Sequence, residues 1–261
     1  MNVCIENLSV DIKGRRILNN INVTLPSNDT IGLIGPNGSG KSTLLRSLCG
    51  LVCASQGKVA LDGTELKNIS QRMLARNLAF VPQHATAEPD MKVETIVKMG
   101  RNPHRSAFTP WNNNDAYAVE RAIQLTKIES LTKRSWKALS GGERQRCQIA
   151  RALAQQTEVL LLDEPTNHLD VHHQIELMHL ITTLPLTVVI ALHDLNLAAN
   201  FCDGLVVMQS GQVVGLGKPD GVLNKHFIKS TWDVDANVIK IGNGKATVQF
   251  DYQRNSIKLA G

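Results

Sequence analysis

Thr30-Ile31-Gly32-Leu33-Ile34-Gly35-Pro36-Asn37-Gly38-Ser39-Gly40-Lys41-Ser42 is the stretch that decides the fold. Its first five residues read as a short buried strand, and Gly35 to Ser42 fits GxxxxGK[ST] at every fixed position. A strand before that pattern and a helix after it, here Lys41 to about Cys49, form the setting in which such a loop holds phosphate. Glycines let backbone N–H groups curl around a β-phosphate, and the helix N-terminus adds roughly half a positive charge. Lys41 is placed to reach β- and γ-phosphates, and the Ser42 hydroxyl to ligate Mg2+. Gly35, Asn37, Gly38, Ser39, Gly40, Lys41, Ser42 and Thr43 are therefore candidate nucleotide contacts.

Working outward, strand-like alternation opens the chain at Val3, Ile5, Leu8 and Val10, then from Ile17 to Leu25. Gly57 to Leu61 and Leu78 to Val81 predict further strands. From Val93 to about Gln155 the period becomes helical, as in Val93-Ile96-Val97-Gly100, Ala118-Ala122-Leu125 and Ile149-Ala150-Leu153. Pro103, Pro110 and Asn112-Asn113-Asn114 mark a loop inside that region. Buried strands return at Val159 to Leu162 and Thr187 to Leu192, and Gln209-Ser210-Gly211 predicts a hairpin turn. Beyond Lys218-Pro219 lies a tail with a helix near His226 to Thr231 and strands at Val238-Ile241 and Ala246-Phe250, in which no chemistry is legible.

The 261 residues suffice for a large core, and 43% apolar with 20% charged residues is ordinary for a soluble globular chain. No apolar run approaches the roughly 20 residues that span a bilayer. The first ten residues lack a signal-peptide layout, which predicts a protein kept in the cytoplasm. The net charge of +5 is scattered, its densest cluster being Lys13, Arg15 and Arg16, and aromatics are only 4% of residues. That argues against nucleic acid as a partner and leaves anionic headgroups as an alternative neighbour for a basic face. The five cysteines form no CxxC pair and read as buried free thiols, although Cys49 and Cys53 could lie one helical turn apart.

Two later motifs narrow the reading: Leu139-Ser140-Gly141-Gly142-Glu143-Arg144-Gln145 opening a helix, and Val159-Leu160-Leu161-Leu162-Asp163-Glu164. Behind a phosphate loop, in that order, they resemble the ATP-binding subunits of ABC transporters across most of the chain. The resemblance implies an α/β fold: a P-loop NTPase (RecA-like) core, an antiparallel β subdomain and an inserted α-helical subdomain at about 85–156. Residues 1–217 would form the nucleotide-binding domain and 218–261 its C-terminal extension. ATP and Mg2+ are the implied cofactors.

Asp163, at a strand end, is placed to hold Mg2+ with Ser42, and Glu164 beside it to polarise the attacking water. By resemblance, Gln83 contacts Mg2+ and that water, while His193 bonds the γ-phosphate and orients the water. The remaining histidines get no metal role; His168 and His172 have ligand spacing, but Asp170 begins a turn between them. Asn167-His168-Leu169-Asp170 is similar to the loop that runs along a partner subunit. Ser140, Gly141 and Gly142 make a second anion site at a helix start. The family's answer to two phosphate sites in one chain is a head-to-tail dimer of two copies that encloses each ATP between the phosphate loop of one and the LSGG turn of the other.

There are two departures from the family pattern. Glu143 stands where Gln is commonest, which predicts little loss, and Ile12 occupies the place of the usual adenine-stacking aromatic. Val81-Pro82-Gln83-His84, Gly100-Arg101-Asn102-Pro103-His104, His172-His173-Gln174 and Leu192-His193-Asp194-Leu195-Asn196 are similar to importer ATPases for ferric siderophores, haem and cobalamin. That implies polytopic permease subunits as partners, with the segment from Gln83 to about Pro110 lining the groove for a permease helix. It also implies an indirect link to a substrate-binding protein and a peripheral place on the cytoplasmic face of the inner membrane. The rivals are a ribosome-associated ABC ATPase, which normally carries two nucleotide units, and a chromosome-type ATPase head, which needs a long coiled coil.

Overall fold

The computed structural model describes residues 1–83, 90–106, 109–167 and 169–251. The chain opens with β1 (Val3–Ile12), β2 (Arg15–Leu25) and β3 (Thr30–Ile34), enters α1 (Lys41–Leu48), and returns through β4 (Gln56–Leu61) and β5 (Thr64–Glu65). Next come α2 (Gln71–Asn77), β6 (Leu78–Val81) and the helices α3 (Val93–Lys98), α4 (Asn113–Leu125) and α5 (Gly141–Ala154). Then β7 (Val159–Asp163), α6 (Val171–Thr182), β8 (Thr187–Ala191) and α7 (Leu195–Phe201) alternate. The hairpin β9 (Gly204–Gln209) and β10 (Gln212–Gly217) follows, then α8 (Pro219–Val222), α9 (Lys225–Trp232), β11 (Ala236–Gly242) and β12 (Lys245–Phe250).

A six-stranded sheet in the order β10-β9-β3-β8-β7-β6 forms the centre, parallel except for β10. Both of its faces are covered, which is why β7 and β8 read as unbroken apolar runs. Leu160, Leu162, Val188 and Ile190 face one core with α6 and α7. Val159, Leu161, Val189 and Ala191 face the other, with α1 and the antiparallel sheet β2-β1-β4-β5. A third core gathers Val93, Ile96, Val97, Val119, Ile123, Trp136 and Cys147 under α3, α4 and α5. Helix α5 joins the layers, since Ile149 and Ala152 belong to the first core while Ala150 and Ala154 belong to the third.

This is the mixed α/β architecture the motifs imply. The structure departs from the sequence reading in detail. Helix α1 ends at Leu48 and Gly50 turns left-handed (φ +70°), so Cys49 and Cys53 are not a helical turn apart. Cys49 is buried, which pushes its thiol up to about 11, whereas Cys53 is exposed and Cys4 half-buried, so the buried-thiol reading holds only for Cys49, Cys147 and Cys202. Asp170 does not begin a turn; it is the N-cap of α6, its side chain accepting from the His173 backbone N–H. His84 and His168 lie outside the described residues.

Gly100-Arg101-Asn102-Pro103-His104 forms a 3-10 turn built around a buried cation. The Arg101 guanidinium donates to Asp115 Oδ1 (2.9 Å), the Ala154 carbonyl (2.8 Å) and Gln156 Oε1 (2.8 Å), which ties the start of α4 to the end of α5. Burial alone would raise the Asp115 carboxyl, but Arg101 and the Asn112 backbone N–H outweigh it and hold the group below the usual carboxylate range. From the central layer, Arg72 and Arg76 of α2 donate to the Pro103 carbonyl at 2.9 and 3.0 Å. Replacing Arg101 by Met leaves the buried Asp115 with only the more distant Arg105 (4.0 Å) as a counter-charge among the described residues, so chemical denaturation should register a loss of up to about 3–5 kcal/mol. Lys at this position, lacking the planar fork, should recover only part of it.

Candidate nucleotide site at the strand ends

The loops following β3, β8, β7 and β6, four neighbouring parallel strands, open on the same edge of the sheet. Ligands of open α/β sheets bind outside the carboxyl ends of such strands. Gly35 to Gly40 leave β3 there, His193 follows β8, Asp163 and Glu164 end and follow β7, and Gln83 follows β6. Gly35 has no alternative: at φ +148° a Cβ would come within 2.0 Å of the Met208 carbonyl oxygen. Gly40, the N-cap of α1, sits at φ +104° with Leu18 of β2 against it.

Lys41 is 4% exposed, and its amine donates to the Gly35 (2.8 Å) and Pro36 (3.2 Å) carbonyls. Burial depresses its pKa, an effect opposed by the charges of Glu164 and Asp163. Ser42 Oγ donates to Asp163 Oδ1 at 2.8 Å, whereas Asp163 Oδ2 is buried with no hydrogen-bond partner. Burial raises the Asp163 carboxyl, and the neighbouring Glu164 charge adds to the shift.

Glu164 is 9% exposed and adopts a left-handed backbone (φ +51°), a conformation that costs of order 1 kcal/mol or more for a non-glycine residue. Gln83 Nε2 (2.6 Å) and Asn167 Nδ2 (2.7 Å) both donate to its Oε2, and His193 Nε2 meets its Oε1. Gln83, Glu164 and His193, singled out from sequence, are thus in direct contact. Asn167 joins them, a partner of Glu164 that the sequence reading missed. The available signal was its i+3 spacing across the Pro165 turn, where the Asn167 N–H also donates to the Glu164 carbonyl (3.3 Å).

Residues 18–167 match the ABC transporter family model. The chain belongs to the ABC transporter family. It is 39% identical over 251 residues to a cobalamin import ATP-binding protein of Halobacterium salinarum, covering 95% of this chain but only 62% of that one. It is 37% identical over 238 residues to the ferric enterobactin transport ATP-binding protein of Escherichia coli, covering 90% of this chain and 88% of the relative. Among solved structures it resembles an inward-facing metal-chelate type ABC transporter with a TM-score of 0.81 and 26% identity, over 95% and 96% of the two chains.

The LSGG turn of this ABC chain lies on the helical layer, at the start of α5. Ser140 is the N-cap: its Oγ accepts from the Glu143 N–H (3.3 Å), and Glu143 Oε2 accepts from the Ser140 N–H (2.7 Å). Gly141 and Gly142 open the helix, and a side chain at Gly141 would meet nothing within 4 Å. Asp170 is exposed and engaged by His173, whose Nδ1 lies 2.8 Å from Oδ2. Ile12, 38% exposed, ends β1 at the tip of the hairpin whose other strand supplies Leu18 to the phosphate loop.

Glu143 is therefore the return half of a capping box, a sequence signal in its own right. Its bond from the Ser140 N–H holds the carboxyl below its usual range. A depressed carboxyl stabilises the fold above its unfolded pKa, about 4.3, and the gain is lost as pH falls through the folded value. Glu143→Ala should cost about 1 kcal/mol at neutral pH, with the deficit in melting experiments shrinking on acidification. Glu143→Gln, which keeps the acceptor, should melt close to the parent at pH 7.

Proposed function

We propose that this chain is the ATP-hydrolysing subunit of an importer that takes up a chelated metal, a ferric siderophore, across the cytoplasmic membrane. The observation that carries the reading is Glu164, held by Gln83, Asn167 and His193 beside the Lys41, Ser42 and Asp163 cluster. Glu164 acts as the acceptor for a proton of the attacking water, with Gln83 and His193 fixing its carboxylate. Lys41 and the loop N–H groups take the β- and γ-phosphate charge of ATP.

Mg2+ fits the residues present. Ser42 and Asp163 are hard oxygen donors, and the unpartnered Asp163 Oδ2 is the kind of buried atom a cation satisfies. Ser42, Asp163 and the Gln83 amide would hold it, and its chemistry is to neutralise charge growing on phosphate oxygens. Gly35, Asn37, Gly38, Ser39, Gly40 and Thr43 complete the phosphate cradle.

Two copies close head to tail on ATP, with Ser140, Gly141, Gly142 and Asp170 of each serving the partner's nucleotide. Bound ATP is the ligand that distinguishes the closed from the open pair, and closure moves the attached permease subunits. The protein works peripherally on the cytoplasmic face of the inner membrane, fed through the permease by a substrate-binding protein. Residues 1–217 act as the nucleotide-binding domain, with about 85–156 as its helical subdomain and the segment from Gln83 to about Pro110 receiving the permease helix, and 218–261 extend it. The siderophore reading is supported by the ferric enterobactin relative, which this chain covers nearly end to end, whereas it spans 62% of the cobalamin relative's length.

Glu164→Gln tests the catalytic assignment. It should bind ATP with little change, lose hydrolysis by about a hundredfold or more, and accumulate as a dimer on size exclusion with ATP. Near-normal turnover would move the catalytic role elsewhere. At the adenine end, Ile12 offers an aliphatic surface where stacking on a ring would contribute roughly 1–3 kcal/mol. Ile12→Tyr should therefore tighten ATP binding in a fluorescence titration, and an unchanged Kd would remove Ile12 from the base site.

A further inference from the structure

We propose that the C-terminal hairpin β11–β12 is a positioning clamp for His193, acting through α7, with Asn196 as its principal contact. His193 lies between the end of β8 and the start of α7, two residues before Leu195. Asp194 caps that helix, its Oδ1 accepting from the Asn196 (2.7 Å) and Leu197 (3.1 Å) N–H groups. The orientation of His193 toward Glu164 therefore follows the placement of α7. A seven-residue helix is too short to hold itself, so packing must fix it.

The hairpin supplies that packing along the whole helix. At its start, the Asn196 carboxamide pairs with a single residue of β12: Oδ1 accepts from the Val248 N–H (2.7 Å) and Nδ2 donates to the Val248 carbonyl (3.1 Å). Such a two-point amide pair fixes rotation as well as distance. One turn on, Asn200 Nδ2 donates to the Ala246 carbonyl (3.3 Å), and at the far end Lys245 Nζ donates to the carbonyl of Cys202, the C-cap (2.8 Å). Ala246, Val248 and Ala236 are 2% exposed or less and share a core with Leu195, Ala198, Ala199 and Cys202. Helix α7 is thus held between the central sheet and the hairpin. A tail in which the sequence shows no chemistry reaches the active site through one helix.

The clamp rests on the proposed role of His193 in ATP hydrolysis, and a double-mutant cycle on the full chain separates the two claims. Steady-state hydrolysis of Mg-ATP is measured for Asn196→Ala, His193→Ala and the pair. Asn196→Ala should lower kcat about tenfold while the KM for ATP moves less than about twofold. In the His193→Ala background the same change should cost less than about twofold, because its route of action is already gone. Asn196→Asp, which keeps an acceptor for the Val248 N–H, should restore part of the rate. Lys245→Met, at the other end of α7, should lower kcat in the same non-additive way, and circular dichroism and melting curves identify any variant that fails to fold. Multiplicative losses in the double variant, or a KM that rises in step with the fall in kcat, would overturn the clamp. A His193→Ala enzyme with near-normal kcat would instead overturn the role of His193.

Discussion

Two adjacent carboxylates, Asp163 and Glu164, end a strand whose every residue is buried, and the site is organised by what that requires. Consecutive acids at a covered sheet edge repel one another and are poorly solvated, so each needs partners. Asp163 is the last residue of the strand and Glu164, just past it, turns left-handed, so the two side chains diverge and recruit different groups. Asp163 takes the Ser42 hydroxyl and the charge of Lys41 from the phosphate loop. Glu164 takes amides from Gln83 and Asn167 and the ring of His193. Apart from Asn167, which follows β7 itself, the strand order places those donors just past β3, β6 and β8, all ending at the same edge, so the two carboxylates are fully satisfied only when these strands are assembled around β7.

That arrangement also explains why a strained residue is tolerated. Glu164 holds a left-handed backbone that its side chain does not favour, of order 1–3 kcal/mol unfavourable. Charge-assisted hydrogen bonds to a buried carboxylate contribute about 1.5–3 kcal/mol apiece, enough to offset the strain when two amides converge on one oxygen. The geometry that results points both carboxyl oxygens at named donors and leaves the group at the mouth of the strand ends. A residue that relaxed to the right-handed region would lose those donors together.

Much of this architecture is legible in the sequence, for identifiable reasons. The phosphate loop is legible because its glycines are sterically required, Gly35 by the Met208 carbonyl and Gly40 by Leu18. Strands β7 and β8 are legible because burial on both faces leaves an apolar run. The partners of Glu164 are another matter, because Gln83 lies 81 residues away and His193 follows a different strand, and no local pattern records that meeting. Only resemblance to relatives brought them together beforehand. Arg101 was hidden for the opposite reason: a turn containing Gly, Asn and Pro reads as exposed, whereas its cation is 4% exposed and bonded to Asp115 across 14 residues. Glu143 is legible in its own right, because its three-residue spacing from Ser140 is the signature of a capping box, and Gln in its place keeps the acceptor.

Helix α5 carries the last consequence of these constraints. It starts at the exposed Ser140 turn and ends at Ala154, whose carbonyl is bonded by Arg101. Between those points Ile149 and Ala152 are anchored in the sheet's core, while Cys147, Ala150 and Ala154 are anchored in the helical layer's own core. A helix shared by two cores cannot move with one and ignore the other, because packed interiors accommodate displacement poorly. Whatever shifts the helical layer therefore shifts the LSGG turn, and the capping box keeps that turn rigid while it moves. The phosphate loop, rooted in β3 and α1, answers to the other face of the sheet. The phosphate loop and the LSGG turn are thus mounted on differently packed layers of the same chain, the one on the β3–α1 side of the sheet and the other on the helix that the sheet shares with the helical core.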